Sequence, residues 1–192
     1  IVNWDPEAKT TLSNEEVVYK EKTAKLFYLK YKLESSEEFL LVATTRPETI
    51  FGDTAVAVNP NDKRYRKLIG KKLIVPLVNR AVPIVGDNSV DLEFGTGCLK
   101  VTPAHSEKDF EIGLRNNLDI IDVFNDDASL NGYGMHYKSL DRFSVRKKII
   151  NELDDKGLLD RSEDYSHNIA LSERTSCVVE PKLSTQWFVR MK

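Results

Sequence analysis

A chain of 192 residues that is 41% hydrophobic suffices for one globular domain with its own core, with no metal or disulfide staple required at this size. Charged residues make up 30%, yet 28 Lys and Arg stand against 30 Asp and Glu, and the formal charge of −2 excludes a whole-domain electrostatic grip on nucleic acid. Contact with RNA must come from a local basic face or a neighbouring domain. Cys98 and Cys177 stand far apart and in no CxxC pattern. They point to a reducing, cytoplasmic setting and away from a disulfide framework or a zinc site. No apolar run approaches the ~18 residues of a membrane span, so no membrane partner is expected. The chain opens on Ile1 and both ends are dense in apolar and aromatic residues (Ile1 to Trp4, Thr185 to Val189). Both ends therefore read as cut from something larger.

Residues 1–20 read as an irregular arm, with a turn at Asp5-Pro6. From Lys25 to Leu33, Leu29, Tyr31 and Leu33 alternate with Lys30 and Lys32, which is the period of a strand with one buried face. A more buried strand is expected from Phe39 to Thr45, and another from Thr54 to Val58. Asn61 to Leu68 reads as a short charged helix stopped at Gly70. Lys72–Val78 and Ala81–Val85 read as short strands whose prolines, Pro76 and Pro83, favour edge positions or strand starts.

Ser106 to Asn116 predicts a helix with Ser106 as its N-cap. Asp119 to Phe124 reads as a strand, and Asn125 to Gly134 as a loop. Asp141 to Gly157 is the strongest helix, with Phe143, Ile149, Ile150 and Leu153 toward the core. The remainder mixes short strands with connections. Many short strands and a few helices predict a mixed α/β, mainly β fold: a closed or partly closed β-barrel core with flanking helices.

Two stretches concentrate chemistry. The first runs from Ala43 to Pro60 and packs Thr44, Thr45, Arg46, Glu48 and Thr49 behind a buried strand. Its plain reading is a strand end with a turn, since threonines favour strands and Arg46-Pro47 breaks one. Its functional reading is a set of hydroxyls and one guanidinium that hold a hydroxyl-bearing ligand. The second stretch runs from Glu93 to Glu111. Gly95, Thr96 and Gly97 permit close backbone approach. Lys100 and Thr102 fall on one side of an extended segment, and Asp109 sits one turn into the following helix, where helix capping is the plain reading.

Other motifs fail. Gly95-Thr96-Gly97 lacks both the third glycine of a dinucleotide fingerprint and the Gly-Lys-Ser/Thr of a P-loop. Asp53-Thr54-Ala55 is a single copy with alanine where an aspartic protease has glycine. His105, His136 and His167 are each 31 residues from the next, without metal-ligand spacing, and suit hydrogen-bonded structural roles. No protein nucleophile is evident.

Taken together, ATTRPETIFGDTAVAVNP (residues 43–60) and EFGTGCLKVTPAHSEKDFE (residues 93–111) resemble the editing insertion of the valyl, isoleucyl and leucyl class I aminoacyl-tRNA synthetases. Val2 to Pro6, and Ser172 through Phe188, are similar to that insertion's junctions with the synthetase body. The resemblance therefore covers the whole chain as a single editing domain, 1–192, with 1–20 and about 170–192 as junction segments. Arg46-Pro47-Glu48-Thr49 and the run from Cys98 to Thr102 resemble the valyl pattern. Ser106 departs from it, since the valyl motif usually has aspartate after Pro-Ala-His.

What the resemblance implies is hydrolysis of threonine mis-attached to the 3′ end of tRNA(Val). An apolar pocket cannot strongly reject an isostere that adds a hydroxyl, and the valyl enzyme facing threonine is the standard instance of that limit. Asp109, Lys100 and Thr102 are then the expected catalytic residues, with Asp109 on the α-ammonium. Thr44, Thr45, Arg46, Thr49, Phe94, Gly95, Thr96, Gly97, Asp91 and His105 are the expected substrate and tRNA contacts, with Phe94 against the terminal adenine. Neither a HIGH-type nor a KMSKS-type motif occurs. No cofactor is therefore expected for editing, and ATP and Mg²⁺ belong only to a catalytic body elsewhere. The expected partners are tRNA(Val) and the rest of a synthetase. An isoleucyl or leucyl editing domain, and a non-catalytic tRNA-binding barrel, are the alternatives.

Overall fold

The computed structural model describes residues 1–187. Phe188, the last residue of the C-terminal motif, and Val189 of the apolar end lie outside that range. The organising element is β3 (Val17–Leu33), a strand of 17 residues. Its first half pairs with β9 (Leu159–Ser172) in a long antiparallel ribbon, from Val17 opposite Ser172 to Tyr28 opposite Arg161. Its second half pairs with β4 (Phe39–Thr44), and its last two residues with β6 (Lys72–Ile74). The sheet continues through β7 (Ala81–Gly86) and β5 (Ala55–Val58) to β8 (Cys98–Val101). It then curls until β8 lies against β4, where the Thr96 hydroxyl donates to the Leu41 carbonyl at 2.6 Å. This is the partly closed β-barrel expected from the strand pattern.

The alternation of β5 distributes the two cores. Val56 and Val58 join Leu29, Tyr31, Val42, Phe51 and Ile84 inside the curl. Ala55 and Ala57 face outward, where Ile112 of α1 (Glu107–Arg115) covers them with Val101. The other helix, α2 (Arg142–Asp155), buries Val145, Ile149 and Leu153 against the inner core. Phe143, expected in the core, is 41% exposed. It lies two residues before Val145, roughly 200° around the helix from the buried stripe.

Other expectations were overturned, some by pairing distant in sequence and some by side chains that capture nearby backbone amides. Residues 1–20 are not an irregular arm. β1 (Val2–Asp5) sits between β10 (Glu180–Lys182) and β2 (Thr10–Leu12) in a small sheet, and β3 begins at Val17. The segment 61–68 is not a full helix. The Asn59 and Asp62 side chains accept the amides of Asn61 and Arg64 in local turns, leaving only a 3₁₀ turn at Arg66–Leu68. Residues 119–124 form no strand, because side chains claim their backbone: Val123 N–H donates to His105 and Phe124 N–H to Asp122. The C-terminal part holds a strand of 14 residues, β9, followed by the short β10, where only short strands were expected. Pro83 sits in an interior strand, but β6 pairs with residues 81–83 and β5 with 84–86, so no ladder bond needs its missing N–H.

Candidate functional site

Between β4, β8, the start of α1 and the β3–β9 ribbon lies a cavity of about 320 Å³. The segment after β4 enters it as a 3₁₀ turn, Pro47–Gly52, whose six residues are all buried. Gly52 makes this possible, since a Cβ there would meet the Ile121 carbonyl at 2.8 Å and the Thr102 methyl at 2.9 Å. Thr44, Thr45, Arg46 and Thr49 arrive from this side. Lys100, Thr102, His105 and Asp109 arrive from the other, and Phe94, Tyr165 and His167 form an aromatic row along the wall.

At the floor is a buried ionic network. Lys100 Nζ donates to Thr49 Oγ1 (2.8 Å), Asp53 Oδ1 (3.0 Å) and Thr102 Oγ1 (2.5 Å). Those three bonds use all three of its protons. Asp53, fully buried, also accepts from Thr102 Oγ1 at 2.6 Å and from the Tyr31 hydroxyl at 2.6 Å. Thr49 Oγ1 passes its own proton to the Arg46 carbonyl at 3.0 Å. Donors on this floor are therefore spent within the protein. What remains for a ligand are acceptor lone pairs on the two threonine oxygens and the Asp109 carboxylate.

Asp109 stands in the first turn of α1, capped by Ser106, whose Oγ accepts the Asp109 amide at 3.3 Å. Its Oδ2 accepts the Thr102 amide at 2.9 Å. Among the described residues, Oδ1 has no hydrogen-bond partner. Burial pushes the Asp109 carboxyl above its ordinary value, while Lys100 and the Thr102 amide pull the other way. A cationic ligand group would relieve that cost.

Arg46 lines the cavity but is held from behind. Its guanidinium donates to both Glu180 oxygens at 2.6 and 2.7 Å and to the His105 carbonyl at 3.0 Å, and lies 3.4 Å from Glu48. Glu48 is fully buried and takes two bonds from Arg146, at 2.8 and 2.6 Å, while Glu180 also accepts from Arg142. Burial would raise the Glu180 carboxyl, but Arg46, His105 and Arg142 outweigh it and bring it down to about 2. His105 is buried with its Nε2 accepting the Val123 amide, which places its proton on Nδ1, 3.5 Å from Glu180. Its ring is thus fixed in the wall and unavailable as a base.

Four expected contacts lie outside this cavity. Asp91 and Gly97 line a smaller one of about 170 Å³ that shares Phe94 and Ala43 with the first. Gly95 and Gly97 adopt φ of 59° and 77°, and Cβ atoms there would strike Ala43 at 2.8 Å and Arg64 at 2.6 Å, so these glycines serve a turn packed on protein. Thr96 ties that turn to β4. Sequence reasoning missed Asp53, Tyr31, Tyr165, His167 and Glu180. Asp53 stood in plain view inside the first motif, but nothing local announces a counter-ion for a lysine 47 residues away.

The whole chain, residues 1–192, matches the family model described as "tRNA synthetases class I (I, L, M and V)". The chain belongs to the class I tRNA synthetases. It is 59% identical over its full length to a valine–tRNA ligase of Christiangramia forsetii, 57% to one of Porphyromonas gingivalis and 53% to one of Thermotoga maritima. It spans 22% of the length of each of these relatives. A leucyl-tRNA synthetase of Agrobacterium radiobacter, solved in a ternary complex with tRNA and LeuAMS, shares the fold at a TM-score of 0.56 and 20% identity, over 80% of this chain and 21% of that one. Over its whole length the chain is thus similar to valine–tRNA ligases. No helix among the described residues is long and apolar enough to cross a membrane.

Proposed function

We propose that this segment is the hydrolytic editing domain of a valyl-tRNA synthetase, cleaving the ester of threonine mis-attached to tRNA(Val). The carrying observation is Asp109, which lines the cavity and whose Oδ1 has no hydrogen-bond partner among the described residues, above a floor where Lys100, Thr49 and Thr102 leave acceptors and no spare donor. An aminoacyl ester presents an α-ammonium, and threonine adds a side-chain hydroxyl; both are donors. Asp109 takes the ammonium, and Asp109, Thr49 or Thr102 accepts the hydroxyl proton. Valine would leave these buried acceptors without a new partner and gain nothing from them, which costs about 1–3 kcal/mol relative to threonine.

The reaction needs no protein nucleophile. A water oxygen adds to the ester carbonyl carbon, the bond to the ribose oxygen breaks, and that oxygen leaves with a proton as the tRNA hydroxyl. Ser106, the cavity's serine, is committed as an N-cap, and His105 is fixed in the wall. Catalysis on this reading is positional: the ammonium anchored on Asp109 sets the carbonyl, and the floor and the free ribose hydroxyl hold the water. Phe94, Tyr165 and His167 suit the terminal adenosine by stacking. The remaining ligase chemistry, with its ATP and Mg²⁺, belongs to the rest of the parent enzyme.

The test is deacylation of threonyl-tRNA(Val) by the chain and by its Asp109→Ala form. Hydrolysis by the first and at least a hundredfold loss in the second is expected. Undiminished hydrolysis by Asp109→Ala would refute the assignment.

A further inference from the structure

A second cavity, of about 300 Å³, adjoins the first and shares Thr45, Arg46 and His167 with it. We propose that it is a docking groove for the single-stranded RNA immediately 5′ of the terminal adenosine, with Phe143 as a base-stacking platform and Lys22 as a phosphate contact. The proposal rests on the editing reading for the direction in which the RNA runs.

Three observations carry it. First, the two cavities follow one another along a single face of the β3–β9 ribbon. Leu26 and Tyr165 line the first, and Lys22, Ile169 and Ala24 the second, with Ala24 opposite Tyr165 and Lys22 opposite His167 in the ladder. Successive same-face positions on a strand are about 7 Å apart, so a chain leaving the first cavity along the ribbon enters the second at once.

Second, the charge is right for a phosphodiester. Lys22, Arg46, Arg142 and Arg146 face only Glu48 and Glu180, a surplus of two cations in a chain whose formal charge is −2. The arginines are bonded to those glutamates, whereas Lys22 is exposed and forms no ion pair among the described residues.

Third, Phe143, placed on the outer face of α2, lines the second cavity. It is 41% exposed on the first turn of α2, with the Arg142 and Arg146 guanidinium carbons 4.8 and 5.3 Å from its ring centroid. Those guanidiniums are in turn held by Glu180 and Glu48. An aromatic ring flanked by immobilised cations beside a basic groove is what a nucleobase stacks on without regard to its identity.

The test compares the chain with Phe143→Ala and Lys22→Gln, neither of which lines the first cavity. Two probes are used: a labelled CCA trinucleotide for binding, and a threonyl ester of adenosine alone for hydrolysis. Loss of one stacked base predicts roughly tenfold weaker CCA binding by Phe143→Ala. Lys22→Gln should flatten the dependence of log affinity on log salt by about 0.7. Hydrolysis of the adenosine ester should not change in either variant. Wild-type CCA affinity in Phe143→Ala, or an equal loss with both probes, would overturn the groove. If the wild-type chain hydrolyses no ester yet Phe143→Ala still loses CCA, the editing reading fails and the groove stands.

Discussion

The ammonium of Lys100 lies 3.0 Å from a carboxylate oxygen of Asp53, and both groups are buried at the cavity floor. Thr102 also donates to that oxygen and Tyr31 to the other oxygen of the carboxylate, and Thr49 and Thr102 take the other lysine protons. The pair orders the two threonine oxygens that line the cavity, with Lys100 itself in the lining and Asp53 behind it.

Removing one partner strands the other charge. Asp53→Ala should lose about 3–5 kcal/mol of unfolding free energy, the usual cost of an uncompensated buried ion. Tyr31→Phe, which deletes one hydrogen bond and no charge, should lose about 1 kcal/mol. Urea unfolding of the three proteins separates these outcomes. Equal losses would mean that the network is packing and not electrostatics.

Asp109 predicts a conflict between stability and activity. Its carboxyl is raised in the folded state, chiefly by burial, so ionising it opposes folding above that raised value. Asp109→Asn should therefore unfold at higher temperature than wild type at neutral pH while losing deacylation. The advantage should shrink as pH falls and wild type takes up its proton. The wild-type rate should decline on the acid side at a pH above the ordinary aspartate value of 3.8. Lower stability of Asp109→Asn at neutral pH would contradict this.

Glu180 carries the opposite sign. Its folded pKa of about 2 lies below the ordinary 4.5, so its ion pairs with Arg46 and Arg142 stabilise the fold fully above 4.5 and are lost as pH falls toward 2. Acid titration of stability should show this decline in wild type. Glu180→Gln should begin less stable at neutral pH and lose correspondingly less between those values.

Ser106 replaces an aspartate usual in the valyl pattern, and its observed work is to cap α1. Serine and aspartate are about equal as N-caps. Ser106→Asp should deacylate threonyl-tRNA within about twofold of wild type, while Ser106→Ala should lose about 1 kcal/mol of stability. A large rate gain in Ser106→Asp would show that the side chain acts on substrate.

The alternation around Leu29, Tyr31 and Leu33, the Ser106 cap and the juxtaposition of Lys100 with Thr102 were legible because each depends on neighbours a few residues apart. The β1–β10 pairing, the length of β9 and the Arg46–Glu180 pair were not. They join residues more than 130 positions apart, or strands exposed on one face whose polar residues hide the period. Phe143 misled for another reason: its hydrophobicity says core, and only its angle on α2 relative to Val145 says otherwise.

The most direct measurement is the rate of deacylation of tRNA(Val) charged with threonine and, separately, with valine, by this chain. Preferential loss of the threonyl ester, by tenfold or more, is the expected result of a cavity that offers acceptors to a hydroxyl. Equal rates, or faster loss of valine, would contradict the editing assignment.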